Sequence, residues 1–225
     1  MFKSLILSCE HAGNEVPDNL RYLFAKEQEV LNTHQGWDIG AWELAQFLSK
    51  KLSIDLYSCH TTRLLIEANR SLDSKHLFSE YSNVLSNDEK ENLVSTIYKP
   101  YRDKIQQQIE KSAKPVLHLS IHSFTPIWHG VERAVDIGIL FDPDRKLETN
   151  YCQQLKLALE EKLPNQSIKL NEPYKGTDDG FTTWLRKRYA DKAYAGIELE
   201  VNQKYASHLP SIKQEIYEAI ETSLK

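Results

Sequence analysis

Short apolar runs alternate along the chain with stretches whose apolar residues recur every three or four positions. Residues 5–7 open the series as a strand. Ala41, Leu44, Ala45, Leu48 and Leu52 fall on one face of a helix over 41–52. A strand is predicted over 54–59, then a turn with a short extended piece over 61–66. Asn87 or Asp88 suits the N-cap of the next helix. A long polar helix follows, with Ile97, Tyr101, Ile105 and Ile109 on one face, and Pro100 predicts a kink or a break in it. Beyond it, 116–121 and 134–141 read as strands, 147–163 as a helix and 167–171 as a short strand. A helix over 181–189, a strand over 195–201 and a terminal helix over 211–225 complete the pattern. Strands alternating with helices predict an α/β fold with a mostly parallel sheet covered on both faces. The length fits a single domain over 1–225.

Composition narrows the function classes. A net charge of -4 and the absence of a basic block interleaved with aromatics argue against a nucleic-acid partner. Three cysteines, an odd count without paired spacing, fit a reducing compartment rather than a disulfide framework. The N-terminal residues show no signal-peptide pattern, and no apolar run approaches the ~20 residues that span a bilayer. The expectation is a soluble, cytoplasmic protein with no membrane partner. Nothing in the pattern specifies an oligomeric state. The eight glycines are scattered, without a phosphate-cradling loop.

The chemistry-bearing residues gather at predicted strand ends, where ligands sit in open α/β sheets. His11 and its neighbours Glu10, Asn14 and Glu15 follow the first strand. His122 follows the strand over 116–121 and shares a face with His118 and Ser120. A lone histidine at a strand end is ordinarily structural. Two of them on converging strands, beside spare carboxylates, suggest a zinc hydrolase. The remaining histidines, among them His34 and His76, read as surface or loop residues. The third ligand stays open on local pattern. Glu15 lies four residues after His11, and Asp38 starts an amphipathic helix, where its ordinary role is to complement the helix dipole. Arg63, Asn69 and Arg70 form a cluster suited to an anionic substrate. Glu198 and Glu200 point to one face of an apolar strand, a costly placement unless they are paired or metal-linked, and one of them suits a general base.

Several short segments then align in order and spacing: 9–14 with Val16 and Pro17, 37–41, 62–64 with 69–71, 122–126, 136–140, and 171–174 with Asp179 and Gly180. On these the chain resembles the N-formylglutamate amidohydrolase family over nearly its whole length. The resemblance implies a three-layer α/β sandwich of the phosphorylase/hydrolase-like kind, related to the zinc carboxypeptidases and to aspartoacylase. It implies Zn(2+) held by His11, Asp38 and His122. Aspartoacylase-like enzymes carry an acid shortly after the first histidine, and this chain has Asn14 at the position three after His11. In the amidohydrolase family the 37–40 piece looks like the supplier of that acid, so the resemblance implies Asp38 as third ligand, with Glu15 the alternative. It further implies Asn69 and Arg70 as a carboxylate clamp, with Asn14 and Tyr174 as further substrate contacts. Glu200 is the expected base in preference to Glu198, and Arg63 is expected to help stabilise the oxyanion. Arg63, Arg133 and Lys175 are candidates for a second substrate carboxylate. The implied reaction is hydrolysis of the N-acyl, notably N-formyl, amide of a small carboxylate such as N-formylglutamate. A non-catalytic binder of amino-acid derivatives, or a hydrolase of longer N-acyl amino acids or small peptides, is the alternative. The polar segment 71–99 is a candidate lid.

Overall fold

The apolar runs pair as expected into one central sheet. In the computed structural model, which describes residues 2–225, its strands are β1 (Ser4–Cys9), β2 (Leu56–Ser58), β3 (Val116–Phe124), β6 (Ile137–Leu140), β7 (Ile168–Leu170) and β8 (Tyr194–Asn202). Their order is β2-β1-β3-β8-β6-β7. All neighbours are parallel except β6 and β8. A small hairpin, β4 (Ile127–Trp128) and β5 (Val131–Glu132), follows β3 and was not foreseen.

Helices cover both faces, which gives the three layers. Helices α1 (Ala41–Leu52), α4 (Lys146–Lys162) and α6 (Lys213–Ser223) bury Leu44, Leu48, Leu155, Leu159, Ile216 and Ile220 against one face. On the other, α3 (Lys99–Lys111) and α5 (Phe181–Arg186) pack Ile105, Ile109, Phe181 and Leu185 around Ile6 and Tyr194. A third cluster, around Phe24, Leu65, Leu77 and Leu93, lies beside the sheet. The segment expected as a lid supplies much of that cluster, and from it only His76 reaches the cavity described below. No helix of the described residues is long and apolar enough to cross a membrane.

Local differences from the sequence reading have physical causes. Helix α2 (Asn87–Leu93) is capped by Ser86 rather than Asn87 or Asp88, because Ser86 and Glu89 form a reciprocal capping box. Pro100 neither breaks nor ends the helix. A π-helical turn over Val94–Tyr98 widens the backbone just before it, and Pro100 sits in the first turn of α3, where its missing N–H costs nothing. Strand β3 continues to Phe124, so His122 lies inside the strand rather than after it.

A buried ion pair braces the layers. Glu148 on α4 is fully buried and takes Arg186 Nε on both carboxylate oxygens at 3.0 Å. It also accepts from the Asp142 and Gly196 amides at 2.9 and 3.1 Å. Removing the acid leaves a buried guanidinium unpaired. Glu148→Ala is therefore expected to cost roughly 3–5 kcal/mol in denaturant unfolding, and Glu148→Gln less. An unchanged midpoint for Glu148→Ala would show that the pair does not hold these elements.

Candidate active site

The strand alternation that buries Leu117, Leu119 and Ile121 against one helical layer turns His118, Ser120 and His122 to the other. Register then places polar groups side by side, with Ser8 opposite Ser120, Ser120 opposite Glu198, and His122 opposite Glu200. All of these residues are buried. A continuous polar face thus lies beneath α3 and α5, and its end at the carboxyl edge of the sheet is the candidate site.

There His11 and His122 stand with ring centroids 5.0 Å apart. Both turn Nδ1 to one oxygen of Asp38, at 3.2 Å for His11 and 2.8 Å for His122. The three residues are buried, with potential ligand atoms within 4.8 Å of one another. Asp38 reaches them because its loop is fastened. Its amide donates to the His11 carbonyl at 3.1 Å, and Ser123 N donates to the carboxylate at 3.2 Å. Gly40, at φ +86°, then turns the chain into α1. Asp38 is therefore not the helix-capping acid of its ordinary reading. Glu15, the alternative ligand, is exposed and pairs through its backbone with Thr61 and His60.

Each imidazole is backed by a further carboxylate. His11 Nε2 contacts Glu67, which also accepts from Arg63 Nε at 2.8 Å and from the Asn69 amide at 3.0 Å. His122 Nε2 lies 3.0 Å from Glu10, which is held by Ser120 and by the Tyr101 hydroxyl at 2.7 Å. Glu67 was not singled out in the sequence. The available signal was an acid between Ile66 and Ala68, four residues after Arg63. Glu10 was noted as a neighbour of His11, yet it serves His122.

These groups define what the site holds. Burial opposes ionisation of Glu10, Asp38 and Glu67, but the adjoining imidazoles and, for Glu67, Arg63 outweigh it and keep all three below the usual carboxylate range. Burial also opposes protonation of the imidazoles, yet Asp38 and Glu10 raise His122 well above its ordinary value, and Glu67 and Asp38 raise His11. With neutral imidazoles, three carboxylates against one guanidinium leave an excess of two negative charges, which one divalent cation neutralises. Ligands at ~2.0–2.1 Å from a tetrahedral zinc stand about 3.3 Å apart, and the two Asp38–imidazole separations, 3.2 and 2.8 Å, lie near that spacing. The donor set thus fits a zinc-type cation.

Glu200 shares the cavity. Its Oε2 is buried without a hydrogen-bond partner. Burial pushes its carboxyl up to about 7, with Asp38 and Glu198 adding to the rise and His122 opposing it. Glu198 instead accepts from the Thr182 hydroxyl at 2.7 Å. Arg63 lies between Glu67 and Asp38, its Nη1 3.3 Å from the latter. Asn69 accepts from the Phe181 amide at 2.7 Å, and Arg70 Nη1 donates to the Asp179 carbonyl at 2.8 Å. The buried Arg102, stacked 4.3 Å from the Phe181 ring, supports this loop by donating to the Ala68 and Arg70 carbonyls at 3.1 and 2.8 Å. Asn69, Arg70, Tyr174 and Lys175 all line the cavity, of about 600 Å³, and so do His34 and His76, which had read as surface residues. Asn14 does not. Its carboxamide donates to the Leu31 carbonyl at 2.9 Å and faces a separate surface hollow, so the structure does not bring it together with the other expected substrate contacts.

A family model for N-formylglutamate amidohydrolase matches residues 3–206, and the chain belongs to that family. It is a hydrolase acting on amide bonds. Among solved structures, gene product Atu2144 from Agrobacterium tumefaciens is similar at 27% identity and TM-score 0.82, with 99% of this chain and 90% of that chain covered. Weaker likenesses include the CwlD amidase from Clostridioides difficile, with 13% identity, TM-score 0.42 and coverage of 99% and 96%. Bovine thrombin-activatable fibrinolysis inhibitor gives 15% identity, TM-score 0.45 and coverage of 98% and 81%. No curated protein matches the chain.

Two outcomes test the site. The metal-free imidazoles have raised pKa values, so they hold protons near neutrality that a ligated cation must displace. Zinc affinity in competition titrations is therefore expected to rise with pH, with measurable proton release. A flat affinity between about pH 6 and 8 would mean that the rings are not ligands. Glu10→Gln and Glu67→Gln are each expected to weaken zinc roughly 10–100-fold while the fold persists. Unchanged affinity in both would deny them the role of orienting the rings.

Proposed function

We propose that this chain is a zinc-dependent amidohydrolase that cleaves the N-acyl amide of a small carboxylate-bearing compound of the N-formylglutamate kind. The observation that carries the reading is the lone Glu200 oxygen, buried and unpartnered in the same cavity as the His11–Asp38–His122 group. When bound, the cation would supply Lewis-acid polarisation of the amide carbonyl and a lowered water pKa.

The chain's own groups account for the rest. Glu200 accepts a proton from the attacking water and delivers it to the leaving nitrogen, a shuttle that its near-neutral pKa favours. With a cation held by His11, Asp38 and His122, Glu200 would stand in its basic form before the proton transfer. Arg63, pinned by Glu67 and Asp38, presents positive charge where the carbonyl oxygen becomes anionic. Among the described residues, the Asn69 carboxamide NH2 and the Arg70 Nε and Nη2 have no hydrogen-bond partner, which leaves them free to grip a carboxylate and fix the scissile bond.

Purified protein is expected to take up about one zinc per chain, and chelation should abolish amide hydrolysis. Glu200→Gln should lower kcat by about 10²–10⁴-fold with zinc affinity retained. Full activity in the metal-stripped protein would overturn the reading. Loss of zinc in Glu200→Gln would reassign that residue as a ligand.

A further inference from the structure

The cavity has an aromatic wall that none of the hydrolytic roles uses. Trp128 and Tyr174 line it while remaining 47% and 39% exposed. Large aromatics left in the open at a cavity forgo burial in the core. These two are held in place. The Arg133 guanidinium lies 5.1 Å from the Trp128 ring and 5.0 Å from that of Tyr174, and its Nη1 donates to the Tyr174 hydroxyl at 2.9 Å. Arg133 N donates to the Pro126 carbonyl at 2.8 Å, closing the base of the β4–β5 hairpin. The hairpin turns tightly at His129 and Gly130, both with positive φ (50° and 78°). His34 flanks Trp128 at 6.4 Å between ring centroids. Gly138 contributes from below. A Cβ there would meet the Glu172 carbonyl at 2.1 Å, so the glycine admits the segment that carries Tyr174 beside Glu200.

The cavity size points the same way. About 600 Å³ lies within the ~300–1,000 Å³ range of sites that enclose drug-sized ligands. A formyl group, one carbon and one oxygen, fills only a small part of that volume.

We propose that Trp128 and Tyr174 form an acyl-group subsite, and that the substrate is a carboxylate-bearing amide whose acyl group is aromatic or bulky and apolar rather than formyl. This rests on the amidohydrolase reading above. With the substrate carboxylate at Asn69 and Arg70, the amine portion lies on that side of the scissile bond and the acyl portion extends to the rest of the cavity. Water adds across the amide: its hydroxyl joins the acyl carbon, the C–N bond breaks, and hydrogen goes to nitrogen. An apolar carboxylic acid and a free amino acid result, with no oxidant or reductant required.

The test compares N-benzoylglutamate with N-formylglutamate on the zinc-loaded full chain, its Trp128→Ala variant and its Trp128→Phe variant. The benzoyl compound is expected to have kcat/KM at least about tenfold higher. Trp128→Ala should lower kcat/KM for the benzoyl compound about tenfold more than for the formyl compound, chiefly through KM, and Trp128→Phe should restore most of it. Preference for the formyl compound, or equal losses on both, would overturn the subsite. Cleavage of neither would instead fail the proposed N-acyl amino-acid substrate class, and calorimetric binding of the two compounds then decides the subsite. Tighter, Trp128-dependent binding of the benzoyl compound supports it, and equal affinities refute it.

Discussion

The Asp38 carboxylate, shared between two buried imidazoles, is the contact on which the rest of this structure turns. Bringing an acid into an apolar interior is costly unless it is paired. Here the pairing extends outward, from Asp38 to His11 and His122, and from them to Glu67 and Glu10. With neutral rings this cluster carries more negative than positive charge. In the metal-free state protons on the imidazoles satisfy the excess, and a divalent cation does so better because it removes the need to keep buried rings protonated. That imbalance is what suits the arrangement to a divalent cation.

The fold supplies the cluster at low cost by using the two faces of its central strands differently. One face of β1, β3 and β8 is apolar and packs on α1, α4 and α6. The opposite face carries serine, histidine and glutamate in register beneath α3 and α5. Those polar side chains satisfy one another. Ser8 bonds His118 at 2.7 Å, and His118 bonds the Tyr194 hydroxyl at 2.8 Å. Glu10 takes Ser120 and Tyr101. At the sheet edge each imidazole lies between Asp38 and a second carboxylate, Glu67 for His11 and Glu10 for His122, which sets its orientation. Glu200, one strand over from His122, keeps its Oε2 unpaired, and a carboxyl oxygen without a partner beside the cavity is available for proton transfer.

How far the sequence disclosed this depended on whether a residue's role was local. Helix α1 matches its apolar spacing to the residue, because burial of one face dictates both. The pairing of His11 with His122 was legible because one lies just past the end of an apolar strand and the other near the end of its neighbour in the sheet. Asp38 was recoverable through family resemblance alone, since its partners lie 27 and 84 residues away. Asn14 stands apart from the other expected contacts for a related reason. After His11 the chain runs beside residues 59–61, with Ala12 and Glu15 amides bonded to Cys59 and His60, and this aims Asn14 away from the cavity. Glu67 escaped notice because nothing in its neighbourhood reveals the histidine it supports. The hairpin with Trp128 was hidden too, its strands being only two residues each.

The most direct test is a crystal structure of the zinc-soaked protein with anomalous diffraction recorded at the zinc edge. The account predicts a single strong peak within bonding distance of Nδ1 of His11, Nδ1 of His122 and the Asp38 carboxylate, with Glu10 and Glu67 still behind the rings. A peak bonded to Glu67 or Glu10 in place of Asp38, or none between the two histidines, would contradict it.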